Sequence, residues 1–95
     1  MKSMDRLFYA LSDENRQEIL KQLLQGKNCP CMLLRDLPIT QPTLSYHLKT
    51  LTDCGITTSK RHKNWKRHYV DLQKIDEMIA FLQSLKEIHE VACDC

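Results

Sequence analysis

The segment Gln41-Pro42-Thr43-Leu44-Ser45-Tyr46-His47-Leu48-Lys49-Thr50-Leu51 restricts the fold more than any other stretch of the chain. Leu44, Leu48 and Leu51 stand at i, i+4 and i+7, the spacing of one side of a helix, and predict a stripe turned to a core. Thr43, Tyr46, His47 and Thr50 are then expected on the opposite side, with Ser45 and Lys49 flanking them. Thr40 is a good cap, Pro42 suits a first turn, and Gly55 stops the helix. Only Pro38-Ile39-Thr40 separates this helix from a shorter one that opens at Cys29-Pro30-Cys31 and carries Leu33, Leu34 and Leu37 on its apolar side. Two short helices joined so tightly make a helix-turn-helix.

The flanking sequence completes a small domain. Met4 to Leu11 predicts a first helix with Leu7, Phe8, Ala10 and Leu11 buried. Ser12-Asp13-Glu14 then caps a second helix that runs to about Gln25. Ile19, Leu20, Leu23 and Leu24 form its stripe, and Gly26-Lys27-Asn28 ends it as a glycine C-cap. After Gly55, Ile56 to Thr58 and His68 to Leu72 predict two strands around the hairpin Lys60 to Arg67, with Asn64 supplying the positive φ of the turn. From Lys74 to about Val91, the residues Ile75, Met78, Ile79, Leu82, Leu85 and Ile88 predict a final helix with a continuous apolar seam. The expected fold is mainly α with a small β-hairpin, a winged helix-turn-helix in the order α-α-α-α-β-β-α. It spans residues 1–95 as one domain, as a chain of 95 residues suits.

Charge shows what such a domain can meet. The formal net charge of +2 is unevenly divided: residues 1–48 carry +1, residues 49–68 carry +5 and residues 69–95 carry −4. A cationic block beside a helix-turn-helix is the footprint expected for contacts with nucleic-acid phosphates. The outer face of the fourth helix adds groups able to read base edges. The expected DNA contacts are Gln41, Thr43, Ser45, Tyr46, His47 and Lys49 on the helix, with Arg61, Lys63, Lys66 and Arg67 on the wing. Trp65 is open to two readings, wing-tip contact or hairpin packing.

Five cysteines are an odd number, and the absence of a signal-peptide core or a membrane-length apolar run predicts a cytoplasmic protein. Thiols there stay reduced, so Cys29-Pro30-Cys31 and Cys93-Asp94-Cys95 read as metal-binding or redox-responsive pairs and not as a disulfide scaffold. Cys54, beside Gly55, reads as a small packed residue. His62, His68 and His89 stand in no ligand spacing. Catalysis is excluded as the leading reading, because no general base or pocket accompanies the thiols.

The stretch Ile39-Thr40-Gln41-Pro42-Thr43-Leu44-Ser45-Tyr46-His47-Leu48-Lys49 resembles the ArsR/SmtB family of bacterial metalloregulatory repressors. So do Leu11-Ser12-Asp13-Glu14-Asn15-Arg16 with Ile19-Leu20, Leu51 with Gly55-Ile56, and His68-Tyr69. The resemblance implies a homodimer joined by its first and last helices. It also implies binding to double-stranded operator DNA, an inverted repeat, and release of that DNA when an inducer binds. Within the family, Cys-x-Cys before the recognition helix marks arsenic and antimony sensors and some cadmium or lead sensors, and Cys29 and Cys31 stand at that place. Met32 departs from the acid that often follows the second cysteine. Leu34 stands where some members have a third cysteine, and the wing lacks glycine.

Arsenite and antimonite are soft and favour thiolates, so the expected ligands are Cys29 and Cys31, completed by Cys93 or Cys95 from either protomer. Side chains two residues apart diverge by about 200° in a regular helix, so both sulfurs reach one ion only at a helix start. Binding there is expected to distort the third helix and, through it, the recognition helix. No cofactor is required. Cadmium, lead or zinc as inducer, a thiol-redox or persulfide response, and a winged-helix module for protein or RNA contacts without ligand control are the alternatives the residues leave open.

Overall fold

A computed structural model describes residues 4–90. Helices α1 (Met4–Ala10), α2 (Glu14–Leu24), α3 (Pro30–Asp36) and α4 (Gln41–Asp53) precede strands β1 (Thr57–His62) and β2 (Trp65–Val70), and α5 (Leu72–Glu90) follows. This is a winged helix-turn-helix, in the order expected.

Local chemistry sets the helix ends. Asp13 caps α2, its Oδ1 accepting from the N–H groups of Asn15 at 2.8 Å and Arg16 at 3.1 Å. Burial works to raise this carboxyl, but those two N–H donors and the positive charge of Arg16 hold it below the usual carboxylate range. The Thr40 hydroxyl accepts from the Thr43 N–H at the start of α4. At their other ends α2 and α4 close through Gly26 (φ +91°) and Gly55 (φ +89°). The bonds Lys27 N–H to Gln22 O and Ile56 N–H to Leu51 O give both termini the Schellman pattern. A Cβ at either glycine would meet nothing within 4 Å. The left-handed backbone, and not crowding, is what calls for glycine there.

The core collects Leu7 and Ala10 of α1, Ile19, Leu20 and Leu23 of α2, Leu33 of α3 with Leu37 at its C-cap, Leu44, Leu48 and Leu51 of α4, Ile56 just before β1, and Met78 of α5. Each large side chain buried there contributes about 1.5–3 kcal/mol. Leu24, expected in the same stripe, lies 58% exposed.

The wing differs from expectation in extent and turn. Its strands run through the basic residues in antiparallel register, from Thr57 opposite Val70 to His62 opposite Trp65. Only Lys63 and Asn64 remain in the loop. Positive φ falls on Lys63 (+59°) and not on Asn64. A two-residue hairpin with φ > 0 at its first position only follows the twist of the strands as a type II′ turn does. Leu72, expected to end a strand, begins α5, because Asp71 caps that helix with its Oδ1 accepting the Gln73 N–H.

Helix α5 is anchored by its first half. Met78 is buried and Phe81 meets Phe8 of α1 at a ring-centroid distance of 5.9 Å. Beyond, Ile79, Leu82, Leu85 and Ile88 are 47–65% exposed, so the seam read from the sequence is not covered within one chain.

Candidate nucleic-acid interface and thiol site

The outer face of α4 presents Gln41, Ser45, Tyr46 and Lys49 to solvent, with Thr43 and Thr50 half-buried. Tyr46 is 57% exposed, while Leu44 and Leu48 are buried beneath it. Lys49 pairs with Asp53 at 2.9 Å, one turn along.

His47 corrects the expectation. It is 6% exposed and faces inward, because residues 44, 47, 48 and 51 together make the i, i+3, i+4, i+7 stripe that a packed helix buries. That pattern was the signal available for it. Its partner is Arg16, which occupies the equivalent inward position three residues before Ile19 and is also buried. The Arg16 guanidinium donates to Ala10 O (3.0 Å), Tyr9 O (3.0 Å) and His47 Nδ1 (3.3 Å). A guanidinium only donates, so Nδ1 is the acceptor of that bond, and Nε2 lies 3.8 Å from Asp13 Oδ1. His47 thus holds the recognition helix to α2 and is withdrawn from the DNA-facing set.

The register of the wing places Lys60 opposite Arg67 and Arg61 opposite Lys66. Like charges directly across a ladder are destabilising, so two adjacent pairs store repulsion that an anionic partner relieves. Because strand side chains alternate, Ser59, Arg61, Lys66 and His68 share one face and Lys60, Arg67 and Tyr69 the other. The first face borders a cleft of about 500 Å³ that Gln41, Ser45 and Lys49 of α4 also line. His68 is buried at its base with Nδ1 unpartnered, and burial, then the charge of Lys66, pushes its pKa down. Arg61, Lys63 and Lys66 are exposed. Arg67, expected with them, is half-buried and donates to Asn28 Oδ1 at 3.0 Å. Trp65 is 52% exposed beside the turn, so it is not hidden in hairpin packing.

On the other side of the hairpin lie Cys29 and Cys31. Pro30 starts α3, leaving Cys29 as an N-cap in extended backbone (φ −102°, ψ 136°) and Cys31 in the first turn. That offset lets side chains two residues apart converge, and the two Sγ atoms lie 2.7 Å apart. Cys29 is buried and Cys31 exposed. The Cys31 thiol donates to Cys29 and holds its pKa down. Burial opposes this, and the N–H groups of Cys31 and Met32 and the charge of Arg67 reinforce it. The same hydrogen bond pushes Cys31 up. The pair is therefore asymmetric, with Cys29 the more readily ionised of the two. Ligand bonds of about 2.3 Å to one ion would set the sulfurs about 3.5 Å apart, a spacing that side chains converging at this helix start can take. Two soft ligands fit such an ion. Among the described residues no third His, Cys, Asp or Glu joins them, and Cys93 and Cys95 lie outside the described residues. Cys54 caps the far end of α4 and packs on the core.

A winged helix-turn-helix with a polar recognition face and a cationic hairpin is the architecture of a DNA-binding transcription regulator. Residues 13–59 match the family described as "Bacterial regulatory protein, arsR family". The arsenical resistance operon repressor of Staphylococcus aureus is 32% identical over 94 residues, 99% of this chain and 89% of that protein. The chain belongs to the arsR family of regulators, which are transcription factors and not enzymes. A probable mercury resistance operon repressor of Streptomyces lividans is 29% identical, covering 95% of this chain and 72% of that one. The homodimeric winged helix-turn-helix DNA-binding domain of a possible ArsR-family regulator from Mycobacterium bovis superposes with a TM-score of 0.69. It is 20% identical and covers 96% and 84% of the two chains. No helix among the described residues is long and apolar enough to cross a membrane.

Proposed function

We propose that this chain is a homodimeric, cytoplasmic repressor that leaves an inverted-repeat operator when a thiophilic metalloid or metal binds Cys29 and Cys31, with arsenite and antimonite as the favoured inducers. The observation that carries the reading is the convergence of those two sulfurs at the start of α3, where Cys29 is made easier to ionise. The arsenical and mercury names of its relatives support thiophilic ions as the class. Cys93 or Cys95, from either protomer, is proposed as the third ligand. The exposed apolar side of α5, continued by α1, is proposed as the dimer interface. Gln41, Thr43, Ser45, Tyr46 and Lys49 are proposed to meet base edges and sugar-phosphate, and Arg61, Lys63 and Lys66 to meet phosphates.

The test is operator binding titrated with arsenite, antimonite, cadmium and zinc in the native chain and in Cys29→Ser and Cys31→Ser. The variants are expected to bind operator as the native chain does and to ignore arsenite. Loss of DNA binding in both would make the thiols structural and refute the site. Two adjacent thiols, one exposed and the other easier to ionise, also favour a second reading, a redox or persulfide response. Release of operator by mild oxidant but not by any of the four ions would select it.

A further inference from the structure

Asn28 stands immediately before the thiol pair and is tied twice to the wing. Its carbonyl accepts the His68 N–H at 3.1 Å, and its Oδ1 accepts from the Arg67 guanidinium at 3.0 Å. The His68 N–H points away from β1, so this bond occupies the outer edge of β2.

The carbonyl in question belongs to the peptide that links Asn28 to Cys29. The Cys29 carbonyl, by contrast, is pinned by the N–H groups of Met32 (3.0 Å) and Leu33 (3.2 Å). When an ion draws on the Cys29 sulfur, the side of Cys29 held by α3 resists any shift. The adjustment then falls on the preceding peptide, and rotating that peptide turns the oxygen that receives the His68 N–H. From His68 the chain leads in one residue to Arg67 and in two to Lys66, which borders the cleft shared with α4. The imidazole of His68 is buried in the same wall with no partner at Nδ1, so a shift of its backbone is not resisted by a hydrogen bond at that atom.

We infer that Asn28 is a positioning residue that couples the thiol pair to the wing, so that ligand binding at Cys29 and Cys31 reaches the DNA contacts through β2. This rests on the proposed role of the thiols as the inducer site. It places the first effect on the wing and not on the packing of α3 against α4.

Phenylarsine oxide, a probe that bridges two thiols, tests it in the intact protein. Peptide mass spectrometry establishes the adduct that bridges Cys29 and Cys31 and separates it from any at Cys93 and Cys95, with Cys31→Ser as the control that lacks the first, and amide hydrogen exchange is followed residue by residue. Protection of the His68 amide is expected to fall by about tenfold or more on adduct formation, with amides of α2 unchanged. An unchanged His68 amide overturns the inference, whatever α4 does.

Operator affinity then reads the coupling. In the native chain the adduct is expected to weaken binding by about tenfold or more, within the usual range for linked sites. Asn28→Ala frees Arg67 but keeps the carbonyl that receives the His68 N–H, so it is expected to weaken the response without abolishing it, and Asn28→Asp, which keeps the side-chain acceptor, to restore it. Equal responses in all three remove the Asn28 side chain and its bond to Arg67 from the route. If His68 loosens while operator affinity stays constant, the mechanical link stands and the proposed inducer role fails. Urea unfolding of each variant separates lost coupling from lost fold.

Discussion

At the scale of single residues, the two cysteines of α3 have unlike chemistry despite sharing one local sequence. The Cys31 thiol donates to Cys29, so Cys29 ionises at lower pH and Cys31 at higher pH than an ordinary thiol near 8.5. Iodoacetamide labelling followed by peptide mass spectrometry across pH 6–10 is expected to show Cys29 half-maximally reactive below that value and Cys31 above it. In Cys31→Ala the Cys29 profile should move upward; a static profile would mean that backbone N–H groups alone hold the thiolate. His47 gives a second residue-level test. Replacing it by Leu keeps the volume apolar but leaves the Arg16 Nη1 donor without its acceptor. The expected loss is about 1–3 kcal/mol in urea unfolding. A stability unchanged within error would show Arg16 to be satisfied without the imidazole.

At the scale of elements, the wing is built with its own opposition. Four cations pair across the ladder, and Lys63 takes a left-handed φ that disfavours a side chain by roughly 1–2 kcal/mol. Glycine there relieves the strain but adds freedom to the unfolded chain. Lys63→Gly is therefore expected to stabilise the protein by up to about 1 kcal/mol. The same change removes a phosphate contact. Operator affinity should fall and its dependence on salt should flatten by about one unit of log–log slope. A gain in stability with no loss of affinity would take Lys63 out of the interface. The order of elements and the leucine faces were legible in the sequence because caps, glycines and the 3.6 period are local signals. The strands were read too short because Lys60 to Arg67 has neither a turn glycine nor an alternating apolar pattern. Pairing across the ladder, absent from any one strand, is what extends them.

At the scale of the whole molecule, the second half of α5 is the unfinished part of the fold. Nineteen residues make a helix about 28 Å long, yet every residue from Ile79 to His89 is exposed within one chain. A helix of this length is marginal in water unless an apolar face is covered. A second copy covering it is the proposed arrangement, and Leu82→Glu is expected to convert the dimer to monomer in sedimentation while leaving α1–α4 folded by amide exchange. Operator affinity should drop steeply with it, since a monomer meets one half-site. A variant that stays dimeric would move the interface elsewhere.

Periodicity and capping in the sequence were enough to define the helices, the core leucines, the winged helix-turn-helix and the cationic block, because each of these depends on residues within a few positions of one another. They also marked Cys29 and Cys31 as a pair that only a helix start can bring together. The spacing of His47 with the core leucines already pointed it inward; tertiary structure alone decided that it meets Arg16, that Arg67 is spent on Asn28 while Lys66 faces the recognition helix, and that β2 is tied to the turn before the thiols. Those outcomes depend on register and on donors meeting acceptors some thirty to forty residues apart. Such meetings leave no periodic trace in either partner's local sequence.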